Sequence, residues 1–335
     1  MGKIISIVNR KGGVGKTTLT LGLADTLITE HPYTAGEPLI LVVDLDPQGS
    51  LTRALLYDRN EGAPEARLRD VFEKQQTFAE LLKQRLAGSD RPWKDFLRHG
   101  VGPVGRHYSM LANNGDAWDV EREAIKRHGE TVTKNVVAQI LRDLASVFTY
   151  VLIDAPPGQT LVAEAAIEAS DLILCPTSPD YLSFWGLESF DDYLKDLCAD
   201  GKGPPARFVF TKFKKKVPRY DPQDRVHDLV YAFAPPERYV TLLREAGKKS
   251  AGQDPSVSLP FDPKLVTRLE GAPTASRQWP WTRMYTPDTQ RALLRLVSAI
   301  KGELERGEPH QPAAGPRTDH RSHGNRARSS AQVAG

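Results

Sequence analysis

Cysteine is almost missing from this chain: Cys175 and Cys198 are the only two in 335 residues. That excludes a disulfide framework and a cysteine-rich metal site. Long apolar runs are missing as well. No stretch of 18 apolar residues occurs, so no membrane-spanning helix is expected. The eight histidines show no metal-ligand spacing. Neither sign of charge dominates, with 45 Lys and Arg against 42 Asp and Glu. A glycine-rich turn begins as early as Lys11, which leaves no room for a signal peptide and makes the cytoplasm the expected compartment.

The rest of the composition is that of an ordinary globular protein. It is 40% hydrophobic and 26% charged, enough to bury a sizeable core. The net charge of +3 is unevenly placed. After residue 305 come Arg306, Arg317, Arg321, Arg326 and Arg328 against Glu308 and Asp319, which accounts for all of it. The remainder is neutral, so any basic surface there is local.

The stretch Asn9-Arg10-Lys11-Gly12-Gly13-Val14-Gly15-Lys16-Thr17-Thr18 organises the chain. The apolar run Ile4-Ile5-Ser6-Ile7-Val8 before it reads as a buried strand, and residues 19–28 after it carry apolar side chains at helical spacing. Strand, glycine-rich turn and helix are the setting a phosphate-binding loop requires. Glycines let backbone N–H groups close on a phosphate, and the helix directs its positive end at the same anion. Lys16 adds charge at the β- and γ-phosphates, and Thr17 offers a hydroxyl to magnesium. Gly12, Gly13, Val14, Gly15 and Thr18 complete the expected loop contacts.

A second run, Leu39-Ile40-Leu41-Val42-Val43, ends in Asp44-Leu45-Asp46-Pro47-Gln48-Gly49-Ser50. Carboxylates at the C-terminal end of a parallel strand lie where open α/β sheets bind ligands. Pro47 and Gly49 predict a turn that frees Asp46 to face the γ-phosphate. Capping of a helix that begins near Ser50 is the other reading of both aspartates. A third run, Tyr150-Val151-Leu152-Ile153, ends in Asp154-Ala155-Pro156-Pro157-Gly158. This is a Walker B pattern, whose Asp154 is placed to hold magnesium through water.

Residues 108–112, 171–176 and 207–213 read as further strands. Residues 67–86 and 131–148 read as helices and 287–304 as a closing helix, while 88–105, rich in Gly, Pro and Arg, reads as a surface connection. Asn113-Asn114-Gly115-Asp116 reads as a turn and helix cap. Alternating strands and helices give the fold class: α/β, a doubly wound, mostly parallel sheet flanked by helices. Residues 1–305 are expected to form a single domain and 306–335 a disordered basic tail.

The phosphate loop departs from the common pattern in having Arg10 where a glycine usually stands and an additional lysine, Lys11, ahead of Gly12. In this it resembles the deviant Walker A loop of the ParA/MinD ATPases, and the likeness extends over about residues 1–305. The resemblance implies a P-loop ATPase that uses ATP and Mg²⁺ and releases ADP and phosphate. It implies a catalytic set of Lys11, Lys16 and Asp46. Lys11 would reach the phosphates of a second subunit, so that ATP joins two chains face to face as a sandwich homodimer. Asp46 would position and polarise the attacking water, sharing the metal site with Thr17 and Asp154, and Asp44 would support magnesium-bound water or Lys11. Pro156-Pro157-Gly158 resembles the second switch. Thr211 and Lys212 stand where relatives contact the base, and Pro260 and Asp262 belong to a segment resembling the one that covers its other side. Residues 177–187 resemble the loop and helix start at the dimer face, with a helix-capping turn over an aromatic core as the other reading.

Between Asp200 and Asp221 there are seven basic residues and no acidic one, among them Lys212, Lys214, Lys215, Lys216 and Arg219. Such charge density suits salt-sensitive contact with a DNA backbone, independent of sequence. A solvated loop kept for solubility is the other reading. The resemblance implies nonspecific DNA binding by the ATP-bound dimer, nucleoid association in that state, and a ParB-like centromere-binding activator in plasmid or chromosome partitioning. The alternative is a MinD-like positioning ATPase acting on a protein assembly or a membrane surface. The polar, arginine-bearing C-terminus lacks the amphipathic helix of that class, so no stable membrane anchor is expected. Nor is an added helix-turn-helix domain expected ahead of the loop.

Overall fold

Each apolar run becomes a strand in the computed structural model, which describes residues 2–30, 40–56, 65–101, 107–177, 189–190, 192–198, 203–213, 258–260 and 285–306. The strands are β1 (Lys3–Ile7), β2 (Ile40–Asp44), β3 (Arg98–Val101), β4 (His107–Leu111), β5 (Tyr150–Asp154), β6 (Leu172–Thr177), β7 (Ala206–Phe213) and β8 (Ser258–Pro260). They form one eight-stranded sheet in the order β3-β4-β2-β5-β1-β6-β7-β8. Every pairing is parallel except that of the edge strand β3 with β4. β1 lies between β5 and β6, with β2 beyond β5, so the chain winds away from β1 in both directions. At such a reversal the carboxyl ends of the strands open a crevice.

Burial on both faces explains why these strands read as continuous apolar runs rather than alternating ones. Ile5, Ile7, Ile40, Val42 and Leu152 pack into one layer. The interleaved Ile4, Leu41, Val43, Val151 and Ile153 pack into the other.

The first layer is closed by α1 (Lys16–Glu30) and the last described helix, which we number below as α8 (Pro287–Arg306). α1 is buried at every position from Leu19 to Leu27, Thr20, Asp25 and Thr26 included, because α8 covers the side that the sheet does not. Leu293 lies against Gly22, the Tyr285 hydroxyl donates to Asp25, and Lys301 pairs with Glu30 at 3.1 Å. The remaining helices are α2 (Ser50–Leu56), α3 (Ala66–Glu73), α4 (Phe78–Leu86), α5 (Asp116–His128), α6 (Glu130–Ala145) and α7 (Leu161–Ala169). Of these, α4, α6 and α7 cover the second layer.

Two regions differ from the sequence expectation. The stretch 88–105 is not only a connection: it holds a 3₁₀ turn, Trp93–Phe96, and β3. Arg98-His99-Gly100-Val101 has no apolar pattern to announce a strand; it is held as an edge because Gly100 lets the Tyr108 ring lie across it. Two helices, α5 and α7, have no marked apolar stripe to announce them. α5 buries only Ala117 and Ala124, and α7 is built largely of alanine.

Candidate active site

The phosphate loop leaves β1 and is fixed before it turns. Asn9 is buried, its amide donating to the Pro176 carbonyl at 2.7 Å and its oxygen accepting the Lys11 N–H at 2.8 Å. Gly15 has φ +97°, a conformation open to glycine, and its α-carbon faces the Thr211 side chain at a distance that leaves a Cβ only 3.4 Å of room. On the other side of the loop, Cβ atoms built at Gly12 and Gly13 would meet nothing within 4 Å, so the backbone there is open to a ligand. Lys16 begins α1 and is 7% exposed, its ammonium donating to the Asn9 and Lys11 carbonyls at 3.3 Å each. Burial lowers its pKa, opposed by the charges of Asp154 and Asp46.

The strand pairings bring the carboxylates to this loop. Asp154 is the register partner of both Ile7 and Asp44. Its Oδ2 accepts the Thr17 hydroxyl at 2.7 Å, while Oδ1 is buried without a partner. Burial, with the Asp44 charge next, raises its pKa well above the usual carboxylate range. Asp44 is fully buried and is pushed up to about 7 by that burial. Its Oδ2 accepts the Thr52 N–H at 2.8 Å and hydroxyl at 2.7 Å, and its Oδ1 accepts the Asp46 N–H at 3.1 Å. Asp44 therefore caps the start of α2, the helix-capping role expected as the alternative. Asp46 sits in the turn after the strand and is partly exposed, with Oδ1 accepting the Gln48 N–H at 2.9 Å and its carbonyl accepting the Gly49 N–H at 2.9 Å.

The turn after Asp154 meets the phosphate loop directly. Gly158 N–H donates to the Arg10 carbonyl at 3.1 Å, and the Arg10 guanidinium stands 6.0 Å from the centre of the Tyr193 ring.

The structure thus brings Lys11, Lys16, Thr17, Asp44, Asp46 and Asp154 together at the carboxyl ends of β1, β2 and β5. Thr211 has its side chain 3% exposed beneath the phosphate loop, its hydroxyl shared between the Val14 carbonyl and Thr177 O, the latter at 3.2 Å. The cause is that β7 ends directly under Gly15. Lys212 and Pro260 are placed by backbone only, in β7 and β8. Lys214, Lys215, Lys216, Arg219, Asp262 and residues 307–335 lie outside the described residues. Three structural residues were not singled out from the sequence: Asn9, Thr52 and Glu121. Each acts on a partner distant in the chain, which periodicity cannot signal. Among the described residues, no helix is long and apolar enough to cross a membrane.

Comparison with known proteins agrees with this geometry. The profile of the AAA domain family matches residues 2–202. The chromosome partitioning protein ParA of Myxococcus xanthus is 29% identical over 205 residues, 61% of this chain and 62% of that protein. The match therefore takes in less than two thirds of that relative's own length. Two solved structures share the fold. Apo McdA from Cyanothece superposes with a TM-score of 0.59 at 17% identity, over 90% of this chain and 100% of that one. The cell division ATPase MinD of Pyrococcus furiosus superposes at 0.55 with 22% identity, over 90% of this chain and 99% of that one. With the family profile covering more than half of the chain and the loop, the aspartates and the sheet order in place, the chain belongs to the AAA domain family.

Proposed function

We propose that this protein is a ParA-type ATPase that dimerises on ATP and Mg²⁺, binds DNA without sequence preference in that state, and lets go after hydrolysis. The observation that carries the reading is the convergence of Lys16, Thr17 and Asp154 on one point of the phosphate loop, with Asp46 in the adjoining turn. The residues suit a magnesium–triphosphate. Asp154 offers a buried oxygen with no protein partner, Thr17 a hydroxyl 2.7 Å from that carboxylate, and the loop an open backbone at Gly12 and Gly13. Among the described residues no three His, Cys, Asp or Glu side chains could hold an ion by themselves, which suits an ion shared with phosphate oxygens and water. Magnesium held there by Thr17 and Asp154 would supply charge neutralisation for the phosphate oxygens.

Within this reading Lys16 exchanges its two carbonyl partners for phosphate oxygens. Asp46 orients the water that attacks the γ-phosphorus as the bond to the β-γ bridging oxygen breaks. Lys11 serves the second subunit's nucleotide. Domain 1–305 is the switch, and Lys212, Lys214, Lys215, Lys216 and Arg219 form the DNA surface. A centromere-binding partner of ParB type accelerates hydrolysis, and the cargo is a plasmid or chromosome. The protein works in the cytoplasm, on the nucleoid when ATP-bound.

The test is DNA binding without nucleotide, with ADP, with ATP and with a slowly hydrolysed analogue, each at two salt concentrations. Binding confined to the triphosphate states, indifferent to sequence and weakening steeply with salt, is expected. Equal binding in all four states, or none in any, overturns the DNA part of the reading.

A further inference from the structure

The turn between Asp154 and α7 is tied down at both ends, and the two ties differ in kind. Toward β5 the ties are backbone bonds: Ala155 N–H to the Ile7 carbonyl at 3.2 Å and Gly158 N–H to the Arg10 carbonyl at 3.1 Å. Toward α7 they are side-chain caps. The Thr160 hydroxyl accepts the Ala163 N–H at 3.1 Å, an ordinary N-cap. The second cap comes from another helix. Glu121 of α5 accepts the Val162 N–H at 3.2 Å.

That second cap is expensive for a purely local purpose, because the carboxylate is partly buried and sits near Glu164. Gln159 and Thr160 line an open cleft of about 710 Å³ together with Glu121 and Trp118 of α5. The turn therefore has room to shift on that side, and Glu121 is the group that spans the gap.

α5 is itself held near the other aspartates. It follows Asn113, whose N–H donates to the Thr52 hydroxyl at 2.9 Å, the same hydroxyl that donates to Asp44. The segment from Asn113 through α5 thus meets the supports of both aspartate-bearing strand ends.

We propose that Glu121 is a positioning residue for ATP hydrolysis: it holds the turn after Asp154 in register with the phosphate loop, acting through the Val162 amide. The proposal rests on the ATPase reading above. It adds a residue remote from the phosphate loop and from the nucleotide.

The experiment uses the full chain with Glu121→Ala and Glu121→Gln. Three quantities are measured: stoichiometry and Kd for a fluorescent ATP analogue with magnesium, steady-state ATP turnover, and amide exchange at residues 158–162. Loss of a cap corresponds to about a fivefold change, so Glu121→Ala should lower kcat about fivefold and speed exchange at Val162 by a similar factor. Its binding stoichiometry should stay unchanged and its Kd within about twofold, because capping acts on the turn rather than on the phosphate loop. Glu121→Gln, whose amide oxygen can take the same N–H, should restore most of both. Unchanged kcat and exchange in Glu121→Ala overturn the proposal, as does a loss of kcat that follows lost binding sites. If Glu121→Ala does not fold, Glu121→Asp decides, its carboxylate being one methylene short. Slowing by Asp but not by Gln supports the proposal, and equal behaviour overturns it. Should the wild type hydrolyse no ATP, the ATPase reading falls, and the exchange rates still decide whether Glu121 holds the turn.

Discussion

Asp154→Asn should make the nucleotide-free protein more stable while removing its response to nucleotide. Asp154 is 1% exposed, keeps one oxygen without a partner, and is the register partner of the equally buried Asp44. The amide replacement keeps an oxygen for the Thr17 hydroxyl and removes one of two adjoining buried charges. Relief of one buried charge beside another is worth about 1–3 kcal/mol. At roughly 2–4 °C per kcal/mol, that is a rise of several degrees in Tm. The sign also fixes a pH dependence. The pKa of Asp154 is raised and that of Asp44 is pushed up to about 7 from 3.8, so the folded protein takes up protons that the unfolded chain has already released. Stability from these groups therefore falls as pH rises from the unfolded value through the folded one. The gain from Asp154→Asn should therefore be larger at about pH 8 than at about pH 5. The assay is thermal melting in chelator at both pH values, then with magnesium and ATP. At 100 times Kd the wild type should gain about 2.7 kcal/mol from ligand, and the variant little of it. A variant that melts below the wild type at pH 8 without nucleotide, or whose gain is the same at both pH values, would refute the reasoning.

Asp46→Ala should still bind ATP with magnesium but turn it over about 100-fold more slowly, leaving a persistent dimer in size-exclusion chromatography; wild-type turnover would remove Asp46 from the chemistry. Thr211→Val deletes the hydroxyl that the Val14 and Thr177 carbonyls share. A loss of about 1 kcal/mol in urea unfolding and a several-fold higher KM for ATP are expected, and an unchanged KM would separate Thr211 from the loop. Gly100→Ala puts a Cβ 2.5 Å from the Tyr108 ring, which has no free space to retreat into. It should cost about 1–3 kcal/mol, read from the urea midpoint, with nucleotide affinity unaffected.

The strands that carry the site were legible because a strand buried on both faces must be apolar throughout. A carboxylate at the end of such a run, as at Asp44 and Asp154, has no packing reason to be there. The phosphate loop was legible for the same local reason: its glycines and lysines are contiguous. What holds these pieces in place is not contiguous. Asn9 reaches Pro176, Thr52 joins Asp44 to Asn113, and Glu121 reaches Val162, each across a stretch of chain that no window of periodicity spans. β3 and α5 were hidden because edge strands and solvent-facing helices are chosen for polarity rather than pattern. The contact of Thr211 with Val14 was not legible, because the approach of β7 to Gly15 is a tertiary fact.

The electrostatics of the site point to a division of labour between backbone and charge. Burial lowers the pKa of Lys16 and raises those of Asp44 and Asp154, so both signs are opposed by their surroundings more than they are helped by each other. Mutual attraction of these side chains is therefore not what assembles the site. Their positions follow from parallel pairing of β1, β2 and β5, from the Asn9 anchor, and from the turn bonds at Gly49 and Gly158. A scaffold that fixes charged groups against their own solvation preference keeps its shape when one charge is removed. It can spend the stored free energy on a ligand of matching charge. This is why a neutral replacement at Asp154 should leave the fold intact and cost the protein only its response to nucleotide.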